Sequence, residues 1–119
     1  MRDLTRGTVV WVDFDPVVGR EQAGRRPALV VASTRYLQTA SSLVIVVPVT
    51  TTDRGWPNHI RLQGDLALGA TSFAITEQPR TIDRSRVLSV AGVVDRATMA
   101  EVDVWLRDFF DLPERRPRR

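Results

Sequence analysis

Only one stretch of this chain holds a helical hydrophobic period, and it comes last. In residues 95–112, DRATMAEVDVWLRDFFDL, the apolar positions Met99, Val102, Leu106 and Phe109 recur every 3.6 residues, with Trp105 and Phe110 alongside. Everything before it is written in period two or in short apolar runs. TVVWVDF (8–14) sends Val10, Val12 and Phe14 one way and Val9, Trp11 and Asp13 the other, which is a strand. PALVVAS (27–33) reads as a strand buried on both faces. LVIVVPVTTT (43–52) has the highest β-propensity in the chain, and Pro48 puts it at a sheet edge or ends a pairing there. HIRLQG (59–64), residues 71–77 and RVLSVAGVV (86–94) read as further strands, with Gln78-Pro79 breaking the middle one. Residues 34–42 are a polar connector with one helical turn, and DLALG (65–69) is read as a short helical turn closed by Gly69.

Strands without intervening helices exclude a parallel βαβ architecture. The expected fold is mainly β, a small antiparallel barrel or strongly curved sheet covered by one C-terminal helix. That helix starts at an Asp95 N-cap or at a Thr98–Glu101 capping box, and Pro113 ends it. One domain is expected over residues 1–112, followed by a basic, disordered tail over 113–119.

Composition narrows the chemistry. There is no cysteine and one histidine among 119 residues, so neither a thiolate metal site nor a disulfide framework is available. No metal or cofactor is expected. All 17 basic residues are arginine, so every cation is a planar fork able to grip a phosphate with two bonds. The net charge of +3 equals that of PERRPRR (113–119), which leaves residues 1–112 near neutral. Nucleic-acid binding would then use a local patch rather than a global field. The start of the chain, MRDLTRG, carries no apolar signal region, and no apolar run approaches a membrane span; a cytoplasmic protein without membrane contact is expected.

Three clusters are candidates for that patch. REQAGRRP (20–27) packs Arg20, Glu21, Gln22, Arg25 and Arg26 between a strand and an apolar run. Adjacent arginines in extended backbone diverge to opposite faces, so one of them can serve a given site. Arg26, held extended by Pro27, is the one anchored at the strand start. PVTTT (48–52) ends a strong strand in hydroxyls, and EQPRT (77–81) sets Glu77, Gln78 and Arg80 around a strand break. Trp56, before Pro57 in a turn, either covers a core edge, the usual role of a large aromatic there, or offers a platform on which a base can stack. His59 is expected on the surface without a designated partner. Each cluster alone also fits an ordinary loop, strand end or bulge.

Their order is more specific. GTVVWVDFDP, GREQAGRRPALVV, PVTTT, EQPRTID and a final amphipathic helix together resemble the MazF/PemK (Kid) family of toxin endoribonucleases, over about residues 6–110. The resemblance implies an SH3-like, CcdB/PemK-like barrel, a homodimer, and metal-independent cleavage of single-stranded RNA, usually messenger RNA, at a short sequence. It implies a MazE-like antitoxin whose C-terminal segment covers the RNA groove. The family's catalytic Arg falls on Arg26, its strand-end Thr on Thr50, its loop Glu on Glu21 and the acid of its Gln-Pro-Arg-Thr motif on Glu77. Arg25, Gln22, Gln78, Arg80, Trp56 and Arg20 are then expected to bind substrate. Two positions depart: Arg20 stands where some members carry His or Ser, and Ile75 where some carry a catalytic Arg. A different use of the same barrel, a non-enzymatic toxin that binds DNA gyrase as CcdB does, needs neither Arg26 nor Thr50. A degenerate member that sequesters an antitoxin is a third reading.

Overall fold

The computed structural model describes residues 4–14 and 24–113. Its elements in chain order are β1 Thr8–Asp13, β2 Arg25–Val30, α1 Thr34–Thr39, β3 Leu43–Thr50, β4 His59–Arg61, β5 Gly64–Leu66, β6 Phe73–Ile75, β7 Arg80–Asp83, β8 Val87–Val94 and α2 Arg96–Phe109. A single 3-10 turn, Arg84–Arg86, joins β7 to β8. All strand pairs are antiparallel, in the order β4-β6-β3-β2-β1-β8-β5, with β7 also pairing β3. The result is the expected mainly β fold, a curled antiparallel half-barrel with a C-terminal helix.

Period-two patterning divides the core as read from the sequence. Val10, Val12 and Phe14 join Ala28, Val30, Val44 and Val46 on one side of the sheet. Val9 and Trp11 join Leu29, Val47, Val49, Ile60 and Ala74 on the other, where α2 docks through Val102. Val102 is fully buried, a contribution of about 1.5–3 kcal/mol to holding the helix down. Arg6 adds a clasp, donating through Nε to the Val31 carbonyl and through Nη1 to Asp103 of α2.

Several expectations are corrected. β2 begins at Arg25, two residues before the apolar run, because β1 carries the ladder that far through Asp13↔Arg25 and Val12↔Arg26. β3 is not an edge strand. Pro48 lies where its partners change: β7 pairs Leu43 to Val46, β6 pairs Val49 and Thr50, and the β2 ladder ends at Ala28↔Pro48. Residues 64–66 form β5 rather than a helical turn. Gly64 and Gly92, both at positive φ, let β5 and β8 approach so closely that a Cβ on Gly92 would collide with the Asp65 carbonyl. The sequence break at Gln78-Pro79 is real, but a separate strand, β7, follows it.

Asp95 is the N-cap of α2, accepting from the Thr98 N–H at 2.8 Å and the Thr98 hydroxyl at 2.6 Å. The helix stops before Pro113. Asp111 turns left-handed at φ 53°, and the Leu112 N–H closes back on the Arg107 carbonyl at 2.8 Å. Beyond Pro113 the tail lies outside the described residues. Arg84 went unnoticed in the sequence. It is 8% exposed, and its Nη2 donates to the carbonyls of Leu37, Ala40 and Leu43, tying the end of α1 to the start of β3.

Candidate active site

Two ladders decide which way each arginine projects. β2 and β3 pair Leu29 with Val47 and Ala28 with Pro48. The ladder stops there, and strand alternation puts Arg26 on the same side of β2 as Ala28. Arg25 therefore projects to the other face, opposite Asp13 of β1. Arg26 and Thr50 line one groove of about 350 Å³ together with Trp11, Pro27, Thr51 and the loop over residues 68–70.

The local chemistry suits an anion. Arg26 is exposed and makes no ion pair or hydrogen bond to any described residue, so its five N–H donors are uncommitted there. Thr50 is half-buried, and its Oγ1 accepts the Thr52 N–H at 3.1 Å. That bond uses an acceptor lone pair and orients the oxygen, which leaves the hydroxyl proton for a ligand. The ladder continues outward: Thr50 pairs with Phe73 of β6, and Phe73 with Arg61 of β4. One face thus carries a transverse row from Thr50 through Phe73 to exposed Arg61, a residue the sequence reading did not single out.

The second predicted cluster sits on the same face, one strand pair further along. His59 is paired with Ile75, two residues from Phe73. It is not a lone surface histidine. Its side chain is 4% exposed, its Nε2 lies 3.4 Å from Glu77 Oε2, and the Trp56 ring covers it at 4.9 Å between centroids. Asn58 donates from Nδ2 to Glu77 Oε1 at 2.8 Å, and the Thr76 hydroxyl donates to the Asn58 carbonyl. The turn over residues 56–58 and the turn after β6 are thereby fastened together. Gln78 is exposed in that turn, with its N–H on the Ile75 carbonyl at 3.2 Å.

Arg80 does not join this cluster. Its guanidinium lies over the Phe14 ring, 4.9 Å from the centroid. Arg86, missed in the sequence, donates to the carbonyls of Asp13 and Phe14 at 3.1 and 2.9 Å. Both arginines therefore brace the end of β1. Arg20, Glu21 and Gln22 lie outside the described residues. Among the described residues no group of three His, Asp or Glu side chains is placed to hold a metal. The two carboxyls held below their ordinary range are structural caps away from the groove: Asp83 by hydrogen bonds from Ser85, and Asp95 by hydrogen bonds from Thr98. No described helix is long and apolar enough to cross a membrane.

Comparison with known proteins places this arrangement. A family profile described as PemK-like, MazF-like toxin of type II toxin-antitoxin system matches residues 5–110. The endoribonuclease toxin MazF of Escherichia coli (strain K12) is 37% identical over 89 residues, covering 74% of this chain and 77% of that protein. Endoribonuclease MazF9 of Mycobacterium tuberculosis is 35% identical over 115 residues, covering 92% of this chain and 98% of that protein. The crystal structure of MazF from Deinococcus radiodurans superposes with a TM-score of 0.77 at 30% identity, covering 94% of this chain and all of that one, 100%. A MazE-MazF crystal structure from the same organism gives 0.78 at 27% identity, with 94% and 100% covered.

Proposed function

This chain belongs to the PemK-like, MazF-like family of type II toxin–antitoxin toxins, and we propose that it is an endoribonuclease that cuts single-stranded RNA at the Arg26–Thr50 groove. The observation that carries this reading is the groove lined by both Arg26, whose guanidinium has no partner among the described residues, and Thr50, whose hydroxyl is oriented by the Thr52 N–H. Its relatives named as endoribonucleases support the reaction class.

The reaction needs no metal. The ribose 2′-oxygen attacks the adjacent phosphorus while the bond to the 5′-oxygen breaks, leaving a 2′,3′-cyclic phosphate and a free 5′-hydroxyl. Glu21 takes the proton from the 2′-hydroxyl. Arg26 supplies fixed donors to the phosphorane oxygens as charge develops there, and relays the proton that the leaving oxygen needs. The Thr50 hydroxyl adds a further donor. Ile75 can neither donate to phosphate nor move a proton, so no step is assigned to that position. DNA lacks the nucleophile and should bind without being cut.

Arg20, Gln22 and Gln78 are proposed to hold the flanking strand, with Trp56 and Glu77 nearest a flanking base, while Arg25 on the other face of β2 and Arg80 over Phe14 are proposed to meet the RNA backbone only beyond the groove. We further assign a homodimer, a cytoplasmic setting, and a cognate antitoxin whose C-terminal segment covers the groove; the solved MazE-MazF structures support the antitoxin. Incubation with a long messenger RNA in EDTA tests the core of the reading. Discrete cuts bearing cyclic-phosphate ends support it. Intact RNA overturns it, and intact RNA beside inhibited gyrase would transfer the chain to the CcdB type of action.

A further inference from the structure

Trp56, Asn58, His59 and Glu77 form a preassembled cluster that the cleavage chemistry does not use. We propose that it is a base-reading subsite selective for guanine, taking the base of a nucleotide that flanks the cut. The inference rests on the ribonuclease reading for its substrate, but its own evidence is separate.

Position comes first. β4 is two strands from β3, roughly 10 Å at the usual strand spacing. The His59↔Ile75 pair lies on the same face as the Thr50–Phe73–Arg61 row. A nucleotide next to a phosphate held at Thr50 is the part of an RNA strand that reaches there. Between the two places the face carries Phe73 and Arg61, an aromatic ring and a cation.

Construction comes second. Trp56 is 51% exposed and its ring meets His59 at a tilt of 43°, so the indole is supported on the His59 side while much of its surface is open to stack on a base. His59 is the support. Its side chain is buried and fixed to Glu77 through Nε2, and its Nδ1 has no partner among the described residues. Burying an imidazole nitrogen unpaired is a cost that packing alone does not require, and the return is a rigid wall behind Trp56 and beside Glu77.

Selectivity comes from Glu77. Each of its carboxylate oxygens already accepts one bond, from Asn58 and from His59, which fixes the plane of the group and leaves each oxygen a free lone pair. The carboxylate remains 29% exposed. Two parallel acceptors match a base edge with two adjacent donors. Of the four RNA bases only guanine has one, its N1–H and N2–H. Adenine and cytosine each offer a single amino group beside an acceptor nitrogen, and uracil offers one N–H between two carbonyls that a carboxylate repels. A matched bidentate pair of this kind discriminates on the order of tenfold or more.

The test uses binding, so that it does not depend on cleavage. Short single-stranded deoxyoligonucleotides, identical except for G, A, C or T at each position in turn, are titrated against the full-length protein by fluorescence polarisation. At one position guanine should bind about tenfold tighter than the other three. Glu77→Gln should abolish that preference while leaving the weaker affinities for A, C and T in place. Trp56→Ala should weaken all four equally, by on the order of tenfold or more. His59→Ala should blunt the guanine preference in protein that circular dichroism shows to be folded at the assay temperature, and His59→Gln should restore part of it. Equal affinity for all four bases at every position overturns the proposal, as does a preference that survives Glu77→Gln. Mapping of RNA ends separates the two readings. Cut RNA with no fixed guanine near the cut sinks the subsite alone. Uncut RNA with a retained guanine preference sinks the nuclease and leaves the subsite standing.

Discussion

Replacing Arg26 by Ala separates chemistry from charge. The side chain is exposed and has no hydrogen bond or ion pair to a described residue, so stability should change by no more than about 0.5 kcal/mol. Its loss removes a donor fixed where phosphorane charge develops. Deleting one such donor costs on the order of 10²- to 10³-fold in kcat, or about 2.7–4 kcal/mol of transition-state stabilisation. Arg26→Lys keeps the charge but not the planar fork, and should recover part of the loss without restoring the wild-type rate. Arg25→Ala is the control. It deletes an identical charge one residue away, on the opposite face of β2, and should leave kcat within about threefold while lowering the salt dependence of binding by roughly one phosphate contact. The assay is single-turnover cleavage of a chimeric oligonucleotide carrying one ribonucleotide at the mapped cut site, with melting curves on every variant. Two results would refute the reasoning: Arg26→Ala within about fivefold of wild type, or Arg25→Ala as damaging as Arg26→Ala.

Other perturbations test the frame. Arg84→Met strips three backbone carbonyls of their buried donor and should cost about 3 kcal/mol by urea denaturation, with the rate per folded molecule unchanged. Gly92→Ala drives a Cβ into the Asp65 carbonyl at a positive φ, and should lose on the order of 4 kcal/mol or fail to fold by circular dichroism. Asp95 is held below its ordinary value of 3.8 by the Thr98 hydroxyl and then by the Thr98 N–H. Its contribution is therefore fully present above pH 3.8 and lost as pH falls through the lowered value. The stability gap between wild type and Asp95→Ala should stay constant from neutral pH to about 4 and close below it in denaturation series.

The strands were legible because alternation over Val9 to Phe14 and the β-branched run from Leu43 need only local periodicity. The cap of α2 was legible to within three residues because Asp95 and Thr98 are both good caps, and only geometry chooses between them. β5 was misread because Asp65-Leu66 has no strand pattern of its own. It becomes extended through two glycines 28 residues apart that let it reach β8. The site divides the same way. Bringing Arg26 and Thr50 to one groove depends on a ladder register that strand alternation and motif order foreshadow. The burial of His59 against Glu77 and Trp56 depends on two turns meeting, and Arg84 and Arg86 act on carbonyls far along the chain. Nothing in the spacing of those residues signals such contacts.

The doubled arginine at the foot of β2 has an asymmetric tolerance built into it. The ladder is anchored by Ala28 and Leu29, so the place that lines the groove with Thr50 is a fixed address two steps upstream of Ala28. Shorten the strand by removing Pro27 and Arg25 slides into that address, so a guanidinium still lines the groove with the threonine. Lengthen it by one residue between Pro27 and Ala28 and the ring of Pro27 moves in, while both cations miss. Deletions at this one point are survivable for the chemistry, and insertions are not.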